Sequence, residues 1–396
     1  MKREALPVQP MVSIEELTAL AERASGVVAE LRKRMLLPEA KKSPPSITSE
    51  RLQALCGITK SQMQTRVGKG VLPPGHVPVN GGRREFTLAE AQEWTRAHRP
   101  DSLRPNGARA VTITVGFFKG GTGKSSTSMT LAQGLSLKSH RVLLVDLDPQ
   151  GTLTTLNGIL PDTDVDEGDT LSNLFFGEAA DVRYAIRPTY WHGIDLIPAS
   201  PALFSAEFAL PARQTRDRSF AFWNALNEGL EAVRDHYDVV IIDTPPSLSY
   251  MTINAFFAAD GVLVPMTPSM LDVSSSAQFW NLFSDLAGSI SRSEKIAKAY
   301  DFVHVLMNRV DSQDSATRAV REVIATIYGA KVLPIEIPKT AVASATAVEF
   351  ATVYDLSRYE GSHKTYARAR DAYDQLVELM ELSINQVWAR QLANAA

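Results

Sequence analysis

A glycine-rich segment with two lysines, KGGTGKSS at 119–126, carries the clearest chemical signal in the sequence. It follows an apolar run at 111–116 and precedes a helical stretch at 127–137, the context of a phosphate-binding loop. Glycines let backbone amides turn toward phosphate oxygens, and a helix N-terminus adds positive potential. The residues predicted to bind nucleotide here are Lys119, Gly120, Gly121, Thr122, Gly123, Lys124, Ser125 and Ser126.

The two lysines of this loop are expected to act differently. Lys124 should bridge the β- and γ-phosphates of ATP, and the Ser125 hydroxyl should coordinate Mg²⁺. Lys119 precedes the turn and should point away from the phosphates of its own loop. A charge there would help catalysis by reaching the γ-phosphate in a second subunit, as an arginine finger does. The pattern therefore predicts a sandwich homodimer with two nucleotides, in which Lys119 and Lys124 are both catalytic.

Aspartates stand at the ends of two apolar runs. Asp146 and Asp148 follow the run at 141–146, and Asp243 ends the run at 238–243. The predicted Mg²⁺ residues are Ser125, Asp146 and Asp243, with Asp243 acting through the water ligands of the ion. Asp148 is the candidate catalytic residue that orients the attacking water, and Asp146 could share either role.

From residue 109 onward, short runs rich in Val and Ile alternate with helical stretches. This alternation predicts an α/β fold with a parallel sheet covered on both faces, and we assign the P-loop ATPase domain to 109–396. The predicted strands are 111–116, 141–146, 193–199, 238–243, 261–266, 302–308 and 331–337.

The front of the chain is basic. The chain has a net charge of −3, but residues 1–105 contain 17 Lys and Arg against 11 Asp and Glu. This imbalance indicates nucleic acid as a partner, although a solvated surface would give the same composition. Apolar residues at helical spacing predict a helix at 13–36, begun by a capping box of Ser13 and Glu16. We assign 1–40 as a dimerisation segment that packs on the same helix of another subunit or on its own domain.

Residues 44–100 show the order helix, turn, helix, ribbon, helix, which is typical of a winged helix-turn-helix domain. The second helix, at about 59–68, is expected to enter the major groove of an operator. A linker at 99–110 follows. The predicted DNA contacts of this domain are Lys60, Gln62, Gln64 and Arg66 on the helix, and Arg83 and Arg84 on the ribbon.

Four segments together resemble the ParA partition ATPases, the deviant-Walker relatives of the cell-division protein MinD. They are KGGTGKSS, VLLVDLDPQGTLT, DVVIIDTPPSLSYMTINAFFAADGVLVPMTPSMLDV and LMNRVD. The front 1–105 resembles the extra operator-binding domain of the larger plasmid-type ParA proteins. The resemblance implies dimerisation on ATP, weak hydrolysis stimulated by a ParB-type partner, non-specific DNA binding in the ATP state, autoregulation, and adenine contacts near Asn308 and Arg309.

Non-specific DNA binding requires a basic surface on the otherwise acidic ATPase domain. The best cluster lies at 357–371, where a helix would place Lys364 and Arg368 on one face. A solvated helix start is the plain alternative, and Lys331 with Lys339 offers another site. The predicted cluster is Arg358, Lys364, Arg368 and Arg370.

Two groups of relatives fit the sequence poorly. Iron–sulfur members need cysteines in the ATPase domain, and the only cysteine is Cys56. MinD-type proteins anchor to membranes through a basic amphipathic C-terminal helix. Here the apolar stripe of the final helix, about 364–391, is flanked by acids and should pack against the body. Those acids are Asp371, Asp374, Glu378 and Glu381.

The resulting hypothesis is a cytoplasmic, nucleoid-associated partition ATPase with ATP or ADP and Mg²⁺ as cofactors. Its expected partners are operator DNA, non-specific DNA, a ParB-type protein and a second copy, with no membrane. No apolar run reaches the roughly 18 residues that span a bilayer. Two alternatives stay open: a transcription regulator switched by nucleotide, and a relative that positions protein cargo. The presence of Lys119 and Asp148 favours a protein that hydrolyses ATP over a regulator that only binds it.

Overall fold

The computed structural model describes residues 13–35, 42–78, 81–311, 313–339, 350–356 and 362–395. It divides into two compact units, Met1–Lys42 and Ser43–Ala396. The described part of the first unit is helix α1 (Ile14–Met35), which begins with the predicted capping box between Ser13 and Glu16. The predicted helix is thus confirmed, while its pairing stays a prediction. Its exposed apolar side chains include Ile14, Leu17, Leu20 and Val27.

The second unit opens with three helices and a small antiparallel sheet. Gly57 ends the first of these helices with a left-handed φ of 64°, and Thr59 starts the next through a capping box with Gln62. Trp94 and Phe86 are fully buried beneath them. In chain order the elements are β1 (Ile47–Thr48), α2 (Ser49–Cys56), α3 (Lys60–Gly68), β2 (Glu85–Phe86) and α4 (Leu88–His98). The predicted helices are therefore present in order. Within the described part of 72–88, the predicted ribbon is a single bridge between His76 and Glu85, and β2 pairs with β1. The assignment as a winged helix-turn-helix stays a prediction.

An eight-stranded sheet forms the centre of the remaining chain. Its order is β10-β9-β8-β3-β7-β4-β6-β5, and every neighbouring pair is parallel except β5 with β6. All predicted strands are confirmed, and β5 is an additional short edge strand. The strands are β3 (Val111–Val115), β4 (Val142–Asp146), β5 (Arg187–Pro188), β6 (Ile194–Ile197), β7 (Val239–Asp243), β8 (Gly261–Met266), β9 (Phe302–Val310) and β10 (Val332–Pro338).

Helices cover both faces of this sheet, so that β3, β4, β7 and β8 are buried along their whole length. Among the described residues, no helix is long and apolar enough to cross a membrane. The helices are α5 (Lys124–Leu137), α6 (Thr152–Leu156), α7 (Ser172–Phe176), α8 (Ala206–Arg216), α9 (Ala225–Glu231), α10 (Tyr250–Ala258), α11 (Met270–Glu294), α12 (Ser315–Tyr328) and α13 (His363–Ala395).

The final helix α13 packs against the body, as its apolar stripe predicts. It approaches α5 so closely that a Cβ on Gly134 would lie 2.2 Å from Val377 Cγ2. One of its acids is not on the polar face: Glu381 is buried and accepts hydrogen bonds from Arg99 and Lys138. The expectation that all four acids flank the stripe on an exposed face is therefore wrong for Glu381. The buried stripe includes Leu376, Val377, Met380, Ile384, Val387 and Trp388.

Residues 44–100, called the front segment below, dock on the C-terminal end of α5. Gln92 Nε2 of α4 donates to Ser136 Oγ at 2.7 Å, and Arg96 Nη2 donates to the Ser139 carbonyl at 3.0 Å. Ser139 is buried, has a positive φ of 73° that is uncommon outside glycine, and bonds Thr95 through its hydroxyl. These contacts join the front segment to the helix that starts at the phosphate loop.

Candidate nucleotide-binding site

The glycine-rich loop connects the buried strand β3 to α5, which begins at Lys124. Gly121 and Gly123 have left-handed φ values of 77° and 87°. A Cβ on Gly123 would lie 2.5 Å from Asn308 Nδ2, so only glycine fits there. The loop thus has the strand, turn and helix order that a phosphate cradle requires.

Asn308 and Arg309, at the end of β9, hold the loop from outside. Asn308 Nδ2 donates to the Thr122 carbonyl at 2.9 Å, and Arg309 Nη1 donates to the Gly121 carbonyl at 2.9 Å. Asn308 is buried, whereas Arg309 is exposed and has a positive φ of 56°. Both side chains donate to the loop backbone, and an adenine contact stays a prediction.

Lys124 lies inside the loop and is almost fully buried. Its Nζ donates to the Lys119 carbonyl at 3.2 Å. Burial lowers the pKa of Lys124, while the carboxylates of Asp243 and Asp148 oppose that shift. The two carboxylates help to keep this buried amine protonated, and a charged lysine inside the loop can bind a phosphate.

Lys119 is oriented differently, because its side chain leaves the loop and pairs with the carboxylate of Asp272 at the start of α11. No pattern in the sequence indicates this pair, because its two residues are 153 positions apart in the chain. Ser269 followed by Asp272 is a recognisable helix start, and Ser269 does cap α11. That pattern predicts the helix but not the lysine partner.

Asp146 and Asp243 meet at the ends of adjacent strands, where they are register partners. Both are fully buried, and Asp146 accepts hydrogen bonds from Thr154 N, Thr154 Oγ1 and Asp148 N at 2.9, 2.7 and 3.1 Å. Burial and the Asp243 carboxylate raise the pKa of Asp146 well above its usual range. Burial also raises the pKa of Asp243 to about 6, against the effects of Ser125, Lys124 and Ser128.

This acid pair fits a Mg²⁺ site completed by nucleotide. Asp243 Oδ1 accepts from Ser128 Oγ at 3.0 Å, but Oδ2 is buried and accepts no hydrogen bond from the described residues. No group of three or more His, Cys, Asp or Glu in the described ranges could hold a metal alone. Mg²⁺ is commonly held by one or two carboxylates with phosphate oxygens and water, which matches this donor set.

Asp148 lies beyond the strand end and is half-buried. Its amide donates to Asp146, and its Oδ1 accepts from Gln150 N at 3.0 Å. Burial raises the pKa of Asp148, opposed by the Gln150 amide and the Lys124 charge. The carboxylate is therefore fixed by backbone contacts and lies within the electrostatic reach of Lys124.

The predicted operator contacts lie on α3 and on the residues just before β2. Lys60, Gln62 and Gln64 are exposed on α3, and Arg66 is half-buried. A cleft of about 650 Å³ separates α3 from the ribbon, where Arg83 pairs with Glu50 at 2.5 Å and Arg84 donates to the Pro74 carbonyl. Both ribbon arginines already have acceptors within the chain.

Of the cations predicted to bind non-specific DNA, two are exposed and one is buried. Lys364 and Arg368 are exposed on the first turns of α13, and they line a cleft with Glu336 and Asp371. Arg370 is buried: its guanidinium stacks 3.6 Å from the Tyr354 ring centroid and donates to the Val353 carbonyl. The prediction that Arg370 faces DNA is therefore wrong, and Arg358 lies outside the described residues.

Comparison with known proteins places this site in a family. Residues 110–297 match a family model for an AAA domain. Protein SopA of Escherichia coli is 31% identical over 330 residues, covering 80% of this chain and 82% of SopA. The chromosome partitioning protein ParA of Caulobacter vibrioides is 34% identical over 223 residues, covering 56% of this chain and 78% of ParA.

Solved structures agree with the fold. A partition protein aligns with a TM-score of 0.62 at 17% identity, covering 94% of this chain and 98% of its own. Cobyrinic acid a,c-diamide synthase from Mycobacterium smegmatis, with bound ADP and magnesium, aligns with a TM-score of 0.52 at 28% identity, covering 68% of this chain and 93% of its own. Given the match to most of SopA and the loop geometry, the chain belongs to the ParA family of partition ATPases.

Proposed function

We propose that this partition ATPase forms an ATP-dependent sandwich dimer in which Lys119 of each subunit contacts the nucleotide of the other. The observation that supports this most directly is the orientation of Lys119. Its side chain leaves its own loop while Lys124 remains inside it. A lysine directed out of its own site gains a catalytic role when a second subunit supplies the phosphate.

ATP or ADP and Mg²⁺ are the cofactors. The loop amides and Lys124 would hold the phosphates, and Ser125 and Asp243 would hold the ion directly or through water. When bound, Mg²⁺ neutralises negative charge on the phosphate oxygens. Asp148, fixed by Gln150 N and Asp146, is placed to orient a water molecule. The intrinsic rate is expected to be low, because Lys119 contacts Asp272 in the single chain.

The remaining activities of the proposal concern DNA and partners. The segment 44–100 would bind a specific operator through α3 and so repress its own operon. Helix α1, within 1–40, would pair two subunits so that two such segments bind one operator. Lys364 and Arg368, within the ATPase domain 109–396, would contact non-specific DNA in the ATP state. A ParB-type partner would stimulate hydrolysis. Support comes from the exposed polar side chains of α3 and from the exposed cations of α13.

A second candidate function is a transcription regulator that nucleotide switches without turnover. The docking of α4 on Ser136 and Ser139 favours it, because α5 connects the operator reader to the phosphate loop. The two functions differ in their need for hydrolysis. Asp148 is dispensable for a switch and required for a motor.

The test of the proposal compares Lys124→Ala with Lys119→Ala. Lys124→Ala should weaken ATP binding at least about tenfold, because a buried charge facing the phosphates is lost. Lys119→Ala should retain ATP binding in a fluorescent-nucleotide titration but lose ATP-dependent dimerisation by ultracentrifugation, or lose hydrolysis. Lys69→Ala, in the front segment, serves as a control for removing a lysine. Equal losses of nucleotide affinity in both loop variants would make Lys119 an ordinary ligand of its own site.

A further inference from the structure

The ion pair between Lys119 and Asp272 joins a fixed carboxylate to an accessible ammonium. The Asp272 side chain has no exposure, whereas that of Lys119 is 36% exposed. Asp272 Oδ2 accepts from Thr267 N at 3.0 Å and from Thr267 Oγ1, and Oδ1 accepts from Ser269 Oγ at 3.0 Å. The acid is therefore held in place by three donors other than the lysine.

These donors keep Asp272 ionised. Burial by itself would raise the pKa of Asp272, but hydrogen bonds from Lys119, Thr267 and Ser269 outweigh it, so the pKa lies below its usual range. A buried carboxylate that cannot easily take up a proton attracts a cation. Lys119 supplies that cation in the single chain.

The backbone around Lys119 is anchored, but its side chain can move. The Lys119 carbonyl accepts from Lys124 Nζ, which ties this residue to the phosphate loop. The phosphate of a second subunit would compete with Asp272 for the charge and hydrogen bonds of this ammonium. A change of partner thus requires only rotation of the lysine side chain away from α11.

The first turn of α11 also carries exposed apolar groups. Met270 and Leu271, which immediately precede Asp272, are 57% and 73% exposed. Apolar side chains beside an ion pair would be covered if a second copy approached this edge of the molecule. In the proposed dimer, Lys119 at this edge would face the second copy.

We propose that Asp272 is a positioning residue that holds Lys119 away from the partner's nucleotide, and that ATP-dependent dimerisation must break this ion pair. The inference rests on the proposed role of Lys119 in a second subunit. When Lys119 moves away, Asp272 still accepts hydrogen bonds from Thr267 and Ser269. These bonds stabilise the buried carboxylate without the lysine. The free energy needed to break the ion pair opposes dimerisation, so a higher protein concentration is required to form the dimer.

The test is Asp272→Asn, which keeps the side-chain shape and removes the charge. With saturating ATP and Mg²⁺, the protein concentration at half dimerisation should fall about fivefold, the size expected of a partly exposed ion pair. ATP affinity of the single chain should stay within about twofold. Asp272→Glu, which restores the charge, should return dimerisation toward wild type. Asp301→Asn serves as the control. It removes a carboxylate that pairs with Arg390 just before β9, at the end of the strand away from the phosphate loop, and it should leave dimerisation unchanged.

A double-mutant cycle separates the lysine from other effects of Asp272. In a Lys119→Ala background, measured at protein concentrations high enough to detect residual dimerisation, Asp272→Asn should no longer lower the midpoint. An equal shift in both backgrounds, or no shift in either, would overturn the inference. If Lys119→Ala alone dimerises and hydrolyses ATP as wild type does, the proposed function fails independently of Asp272. Should the Asn variant not fold, Asp272→Ser keeps a hydroxyl partner for Thr267 and Ser269 and gives the same comparison.

Discussion

Glu381 should be the most sensitive point in the contact between the front segment and the ATPase body. This carboxylate of α13 accepts from Arg99 Nη2 at 2.6 Å, Lys138 Nζ at 2.8 Å and His140 Nε2 at 2.9 Å. Arg99 follows α4, while Lys138 and His140 follow α5. One acid thus joins three separate parts of the chain, and Glu381→Gln removes its charge with little change in shape.

The size of the effect follows from burial. The side chains of Arg99, Lys138 and Glu381 are 19%, 14% and 7% exposed, so solvent screens them little. Removal of one partner from a buried ion pair costs about 3–5 kcal/mol. Glutamine keeps one acceptor oxygen, which reduces the expected loss to about 2–3 kcal/mol. For a unit of this size, the melting temperature should fall by about 3 °C.

The effect should also depend on pH. Burial by itself would raise the pKa of Glu381, but the hydrogen bonds from His140 and Arg99 and the nearby Lys138 hold it well below the ordinary value of about 4.5. A carboxyl whose pKa is lowered on folding stabilises the protein above its unfolded pKa, and this stabilisation is lost as pH falls below it. The difference between wild type and Glu381→Gln should therefore be full at pH 7 and shrink below about pH 4.5.

Calorimetry across this pH range measures the difference in melting temperature. Glu378→Gln, an exposed acid one turn earlier on α13, makes the same chemical change and should alter melting by less than about 1 °C. Limited proteolysis at 99–110 should accelerate in Glu381→Gln only. Equal melting of the two variants, or a difference that persists unchanged at pH 3, would refute the role of the Glu381 charge.

Three further variants test the proposed activities. Asp148→Ala should bind ATP and dimerise but lose at least about tenfold in hydrolysis rate, because water is no longer oriented; failure to bind ATP would make Asp148 structural. Arg66→Ala should abolish an operator footprint at fixed salt with unchanged ATPase rate, and a persisting footprint would remove α3 as the reader. Lys364→Ala with Arg368→Ala should reduce the salt dependence of random-DNA binding by about two ions in the ATP state, whereas an unchanged slope would place the contacts elsewhere.

The parallel sheet could be predicted because buried strands are encoded locally. The run 239–242 is apolar at every position, and β7 is buried on both faces accordingly. The edge strand β5 has no such signal, since Arg187 and Pro188 are two residues without alternation. The loop was predictable for a different reason: Gly121 and Gly123 are required by left-handed backbone angles that other residues rarely adopt.

Side-chain partners across the fold could not be predicted in the same way. The pairs of Lys119 with Asp272 and of Arg99 with Glu381 join distant positions, and no local pattern specifies them. The sequence predicts that Arg370 and Lys364 lie on the first turns of α13. It does not predict that the Tyr354 ring stacks on Arg370 and buries it, while Lys364 stays exposed. Polarity alone therefore misassigned one cation and one acid of the same helix.

The two ends of α5 connect the proposed activities physically. Its first residue is the loop lysine, and Ser139, two residues after its last residue Leu137, is held by hydrogen bonds with Thr95 and Arg96 of α4. Fourteen residues span about 21 Å of rigid helix. A rotation of the front segment must therefore either break the contacts of Thr95 and Arg96 with Ser139 or move α5 with it. We expect operator binding and nucleotide binding to influence each other through these contacts, and Thr95 to matter for that coupling without contacting either ligand.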